Sequence, residues 1–162
     1  MCARKFLFIT MMLSSFFIIA QKKALVGGTL IDGFGGKPLY NSVILIDNDK
    51  ITAVGHQGNL TVPKGYDIIS TEGMSVMPGL WDMHVHLMIN GHSDYTHWDT
   101  AYIDRFESVI MPSSAHQLLM AGVTSARDLG APLDASIRVR DRINKGEIPG
   151  PTMYMSGPFL QH

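Results

Sequence analysis

From residue 76 onward the sequence alternates between strand-like and helix-like periods, and this constrains the fold more than any other feature. "VMPGLWDMHVHL" (76–87) is an apolar strand candidate. "DTAYIDRFESVIMPSSAHQLLMAG" (99–122) carries helical spacing, with a break expected at Pro112, Ser113 or Ser114 as N-cap of a second helix, and Gly122 as its stop. "VTSARDL" (123–129) is a second strand, Asp134 is placed to cap the helix "ASIRVRDRINK" (135–145), Gly146 ends it, and "TMYMSG" (152–157) is a third strand. Strand, helix, strand, helix, strand is the order of parallel βαβ units. Three parallel strands with two crossovers do not close a barrel, so a sheet edge is expected to need more chain or a partner.

Residues 24–75 read differently. "ALVGGTLIDG" and "YDIIS" are short strand candidates, and "GFGGKPLYN" is turn chemistry. "SVILIDNDKITAVG" predicts a hairpin in which Val43–Ile46 and Ile51–Val54 flank a four-residue polar loop, Asp47 to Lys50. The expectation is a small antiparallel β unit, sandwich-like, over 21–75, followed by an α/β unit over 76–162.

The first twenty residues are of another kind. Arg4 and Lys5 precede "FLFITMMLSSFFIIA" (6–20), and Ala20 offers a cleavage point. The run is shorter than the roughly 20 apolar residues that a membrane span needs, so a secretory signal peptide over 1–20 is expected. Export to the periplasm or medium follows, with membrane contact only through that segment; the rival reading is a membrane-anchored scaffold. Cys2, the sole cysteine, leaves with the peptide, which removes disulfide and thiol chemistry. With 13 Lys+Arg against 14 Asp+Glu there is no basic excess to suggest a nucleic-acid partner.

His84 and His86 stand two apart in the first strand candidate. Side chains alternate along a strand, so the two imidazoles are expected on one side, with Met83, Val85 and Leu87 packed on the other. Two neutral imidazoles with free lone pairs make a natural pair of metal ligands, and equally a hydrogen-bonded polar pair; the spacing leaves both open. Asp82 shares that face, as an orienting partner for a ligand or as a backbone acceptor. Asp128 ends the second strand, where it would contact substrate at the mouth, form an ion pair or cap the next helix. The remaining histidines are weaker candidates: His56 lies in the β unit, His92 and His97 in a polar loop, His116 on a helix and His162 at the terminus. Trp81, Trp98 and the methionines are expected to pack rather than to recognise a ligand.

"PGLWDMHVH" resembles the signature of the amidohydrolase superfamily, metal-dependent hydrolases built on a (β/α)₈ TIM-type barrel. The resemblance extends to "ALVGGTLIDGFGGKPLYNSVILIDNDKITAVG", "LLMAGVTSARDLG" and "INKGEIPGPTMYMSGPFL", and so covers about residues 24–160. It is nearest to the imidazolonepropionase branch and related dipeptidases. It implies that residues 76–162 are the first three strands and two crossovers of the barrel. It implies that His84 and His86, at the end of the first strand, bind a divalent metal, zinc, as one or two ions. It further implies hydrolysis of a carbon–nitrogen bond in a small amide or dipeptide by metal-activated water. The family's further ligands and its proton-handling Asp come from later strands and are not assigned here, so this chain alone is expected to be inactive. The alternative is a non-catalytic metal-binding or interaction module.

Overall fold

The computed structural model describes residues 21–89 and 91–159, so residues 1–20, where a signal peptide is expected, and His162 lie outside the described residues. The chain forms two compact units that divide between Met77 and Pro78.

The first unit contains β1 (Lys22–Val26), β2 (Thr29–Leu30), β3 (Ser42–Asp47), β4 (Lys50–His56), β5 (Asp67–Ser70) and β6 (Ser75–Val76). A four-stranded sheet runs in the order β4-β3-β1-β5, and β2 pairs with β6 in a separate ribbon. The unit is not purely antiparallel as expected. β1 is antiparallel to β3 but parallel to β5, and β2 is parallel to β6. The chain between β4 and β5 crosses to the far edge and enters beside β1 in the same direction. The expected hairpin is present but tighter, because Asp47 and Lys50 pair across it. Asn48 takes the left-handed conformation (φ 56°), which leaves only Asn48 and Asp49 at the tip. Ala24, Val43 and Leu45 form the core of this unit, covered by Val26, Ala53, Leu60, Val62 and Tyr66.

The second unit contains β7 (Leu80–Val85), α1 (Tyr95–Ala101), α2 (Met111–Met120), β8 (Val123–Asp128), α3 (Leu133–Asn144) and β9 (Thr152–Met155). β7, β8 and β9 form a parallel sheet in that order. Leu87, Met88, Phe106, Ile110, Met111, Ala115, Ala126, Val139 and Met153 make its core. The opposite sheet face carries Trp81, Met83 and Tyr154, each at least half exposed. Trp81 stacks on Tyr154 with ring centroids 5.7 Å apart and is not packed in the core as expected.

Several expected helix signals act differently. No break occurs at Pro112. A 3₁₀ turn (Ile103–Arg105) and a π-helical turn (Phe106–Ile110) run directly into α2, and Pro112 falls in its first turn. The wider π turn accommodates a residue that has no N–H to donate. Ser113 and Ser114 cap nothing, because Ile110 is already helical and occupies the cap position. α3 is led by Pro132, and Asp134 sits in its first turn without a side-chain cap bond. There its charge faces the positive end of the helix dipole. Gly122 (φ 85°) and Gly146 (φ 71°) lie just beyond the ends of α2 and α3, as their left-handed conformation allows. No helix among the described residues is long and apolar enough to cross a membrane.

Candidate metal centre

His84 is the penultimate residue of β7, and His86 lies one residue beyond its end. The pairing of β7 with β8 is irregular here. Asp82 pairs with Ala126 and Val85 with Asp128, so Met83 and His84 together oppose one residue of β8. This is a β-bulge, which interrupts simple alternation and re-aims side chains. It explains why Met83 is 50% exposed instead of packing with Val85 and Leu87. Within the bulge the His84 amide donates to Asp82 Oδ1 at 3.0 Å. Asp82 therefore acts as a backbone acceptor that holds His84's main chain. No bond from its carboxylate to an imidazole is present.

The two rings converge. His84 Nε2 and His86 Nε2 are 3.1 Å apart, with ring centroids at 5.0 Å and planes at 82°. Without a cation, one ring must carry its proton on Nε2 and donate it to the other. The same geometry suits a metal, because two nitrogens each about 2.05 Å from a tetrahedral zinc lie about 3.3 Å apart. No group of three or more His, Cys, Asp or Glu side chains placed to hold a metal occurs among the described residues. Alone, the pair would offer two of the three protein ligands that a catalytic zinc site typically uses.

Around the pair, His86 Nδ1 is buried without a hydrogen-bond partner among the described residues, as is Ser114 Oγ. Both residues line a cavity of about 290 Å³ between the end of β7 and α2, with Gln117 and Leu118. The lining is largely apolar, with His86, Ser114 and Gln117 as its polar members, and a space of that size admits water beside them. On the other side, the Phe159 ring lies 5.0 Å from that of His86. Phe159 also borders a more apolar cavity of about 340 Å³ with Met88, Ile103, Phe106, Ala131 and Pro132, and Asp99 at its edge. The sequence marked Ser114 only as a helix-cap candidate and gave Phe159 no site role, since both owe their place to the way the chain returns to the rim.

Asp128 is at the level of the pair, as the strand reading expected, but its surroundings differ. It is 1% exposed, makes no ion pair among the described residues and caps no helix. Oδ2 accepts from the Leu87 amide (3.2 Å) and Oδ1 from the Gly130 amide (3.0 Å). Burial pushes its carboxyl above the ordinary range, against the opposing pull of those two bonds and of His86.

The other described histidines have partners of their own or lie exposed. His92 and His97 stack on each other around the start of α1, where Asp94 Oδ1 caps the helix by accepting from His97 N. His97 is therefore helical, not in a loop. His56 Nδ1 accepts from Gly58 N, and His116 is exposed on α2. Trp98 does pack as expected, and its Nε1–H donates to Met88 O at 2.8 Å.

The profile described as the Amidohydrolase family matches residues 75–162. Ochratoxinase of Aspergillus niger is 33% identical over 147 residues, which cover 87% of this chain and 29% of that protein. Among solved structures, molinate hydrolase superposes with a TM-score of 0.75 at 28% identity, over 87% of this chain and 31% of the other. A Xaa-Pro dipeptidase with methionine bound in its active site gives 0.73 at 27% identity, over 86% and 34%. The chain thus spans about a third of the length of the proteins it matches.

Proposed function

The chain belongs to the amidohydrolase family, and from that premise we propose that it forms part of a metal-dependent hydrolase that cleaves a carbon–nitrogen bond in a small amide or dipeptide. The observation that carries this reading is the 3.1 Å approach of His84 Nε2 to His86 Nε2 at the C-terminal ends of parallel strands. In barrels of this type, catalytic groups collect at that end. A divalent cation held there, zinc by the chemistry of two imidazoles and as one or two ions, would supply a Lewis acid that activates water and polarises a carbonyl.

The chain's own residues orient and enclose. Asp82 fixes the His84 main chain, and Phe159 separates the imidazoles from the apolar cavity, which suits the apolar part of an amide. Two similar proteins named for dipeptide cleavage and ochratoxin turnover support that substrate class. A place near the dipeptidases of the imidazolonepropionase-like branch is part of the proposal, and the likeness to a Xaa-Pro dipeptidase supports only its dipeptidase side.

Cobalt(II) or zinc titration of the full chain tests the reading, with His84→Ala and His86→Ala as controls. Wild type should bind one equivalent weakly, and each variant should lose binding. Equal binding by wild type and both variants would refute the pair as ligands. With two ligands and no third among the described residues, residues 21–162 should show no metal-dependent amide hydrolysis, and turnover abolished by a chelator would overturn that. Tight binding with a third protein ligand from this chain would favour the non-catalytic module instead. Export is part of the proposal, and a mature mass lacking residues 1–20 is its test.

A further inference from the structure

The chain leaves β7 through a tight turn. His86 O accepts from Ile89 N at 3.1 Å, which makes Leu87 and Met88 the central residues. Leu87 is 1% exposed, so its amide is a buried donor that cannot turn to solvent and must find an acceptor. That acceptor is Asp128 Oδ2 at 3.2 Å. The second oxygen, Oδ1, takes the Gly130 amide at 3.0 Å, where the chain leaves β8. The main chain repeats the pattern, with Leu129 N donating to Val85 O and Ser156 N to Asp128 O, both at 3.0 Å. One side chain at the end of the central strand therefore ties the exit of the first strand to that of the second, and its backbone ties in the third. The residue it holds by Oδ2 is the one that directly follows His86.

We propose that Asp128 is a positioning residue for the imidazole pair: by gripping the Leu87 and Gly130 amides it fixes the turn that carries His86, and so sets the spacing of the two Nε2 atoms. This rests on the reading of His84 and His86 as metal ligands. A carboxylate suits the task because it accepts two N–H bonds from different directions and donates none. An amide in its place would keep one acceptor and turn a donor toward the other N–H. Sequence pattern shows a strand-end Asp; it does not show that both oxygens are consumed by loop amides.

The full chain carrying Asp128→Asn, with Asp128→Ser as a second variant, tests this by two separate readouts. The first needs no metal: NMR of the imidazole nitrogens of His84 and His86, with hydrogen exchange of the Leu87 and Gly130 amides. Exchange at those two amides should rise at least tenfold and the His86 signals should shift, while the amides paired between β8 and β9 hold. The second is cobalt(II) affinity and its visible absorption band. Affinity should fall about 10- to 100-fold, as for loss of an outer partner of a metal ligand, with an altered band. Val139→Ala, which weakens the same core without removing an acceptor of these bonds, should leave the His86 signals and the cobalt affinity unchanged.

Folded variants whose His86 signals and cobalt affinity stay within twofold of wild type would overturn the proposal. So would both variants failing to fold, which would make Asp128 a folding residue only. If wild type binds no cobalt, the ligand reading fails alone, and the metal-free arm still decides the role of Asp128.

Discussion

Replacing Gly79 with alanine should destabilise the second unit by about 2–3 kcal/mol, and the cause is one side chain. Leu80 pairs with Val123 and Trp81 with Ser125, so Thr124 is an extra residue bulged from β8. A Cβ built on Gly79 would lie 2.7 Å from Thr124 Cβ and closer still to its Oγ1 and Cγ2. Rotating Thr124 about χ1 moves the last two atoms but not Cβ, so the strands must separate by about 0.7–1 Å to restore ordinary carbon contact. Overpacking of this kind costs about 1–3 kcal/mol, and the lack of a rotamer escape argues for the upper part of that range. Thr124→Ala alone is exposed and should cost under about 1 kcal/mol. A double variant with Thr124→Gly, which also removes Cβ, should recover at least about 1 kcal/mol relative to the sum of the singles, whereas with Thr124→Ala the clash persists because Cβ remains. Urea unfolding followed by fluorescence is the assay, since both tryptophans, Trp81 and Trp98, lie in the second unit. Costs of Gly79→Ala and Thr124→Gly that add to within about 0.3–0.5 kcal/mol would refute the steric account.

Val139 is fully buried, so Val139→Ala should cost about 2–3 kcal/mol: two methyl groups of transfer energy plus the cavity left behind, less a small gain in helix propensity. Denaturation midpoints at unchanged slope would show it. Glu107 accepts a forked pair of bonds from Arg138 (2.9 and 2.8 Å), which holds its carboxyl below the ordinary carboxylate range. The stabilisation is therefore present above the unfolded value and lost as pH falls through the lower folded one. The melting-temperature gap between wild type and Glu107→Gln should close on acidification and shrink with salt, and a gap that widens in acid would be wrong in sign. Asn48→Val puts a branched side chain in a left-handed turn and should cost about 1–2 kcal/mol, whereas Asn48→Gly should be close to neutral in the same unfolding experiment.

Elements whose apolar pattern depends only on near neighbours could be read from the chain. β3, β8 and α3 fall where their periodicity and the glycine stops at 122 and 146 put them, and His84 and His86 do converge. What could not be read depends on distant chain. Nothing in "ALVGG" says that Ala24 will face Ile68 in parallel while Leu45 faces it from the other side. Asp82 and Asp128 looked alike as strand carboxylates, yet one holds its own strand's bulge and the other is consumed by amides brought in from two loops. Ser113 and Ser114 carried a sound capping signal that was overridden because the preceding turns were already helical.

β1 lies between β3 and β5, so the first strand of the unit is an inner one whose second neighbour begins only at Asp67. A ribosome adding about 5–20 residues per second exposes Lys22–Val26 for several seconds before that neighbour emerges. Until then only the local β3–β4 hairpin and its pairing with β1 can form, leaving one edge of β1 unbonded. Within this sheet β5, at 67–70, is the last strand to be synthesised. Agents that bind extended segments in transit have their best opportunity at the open edge of β1.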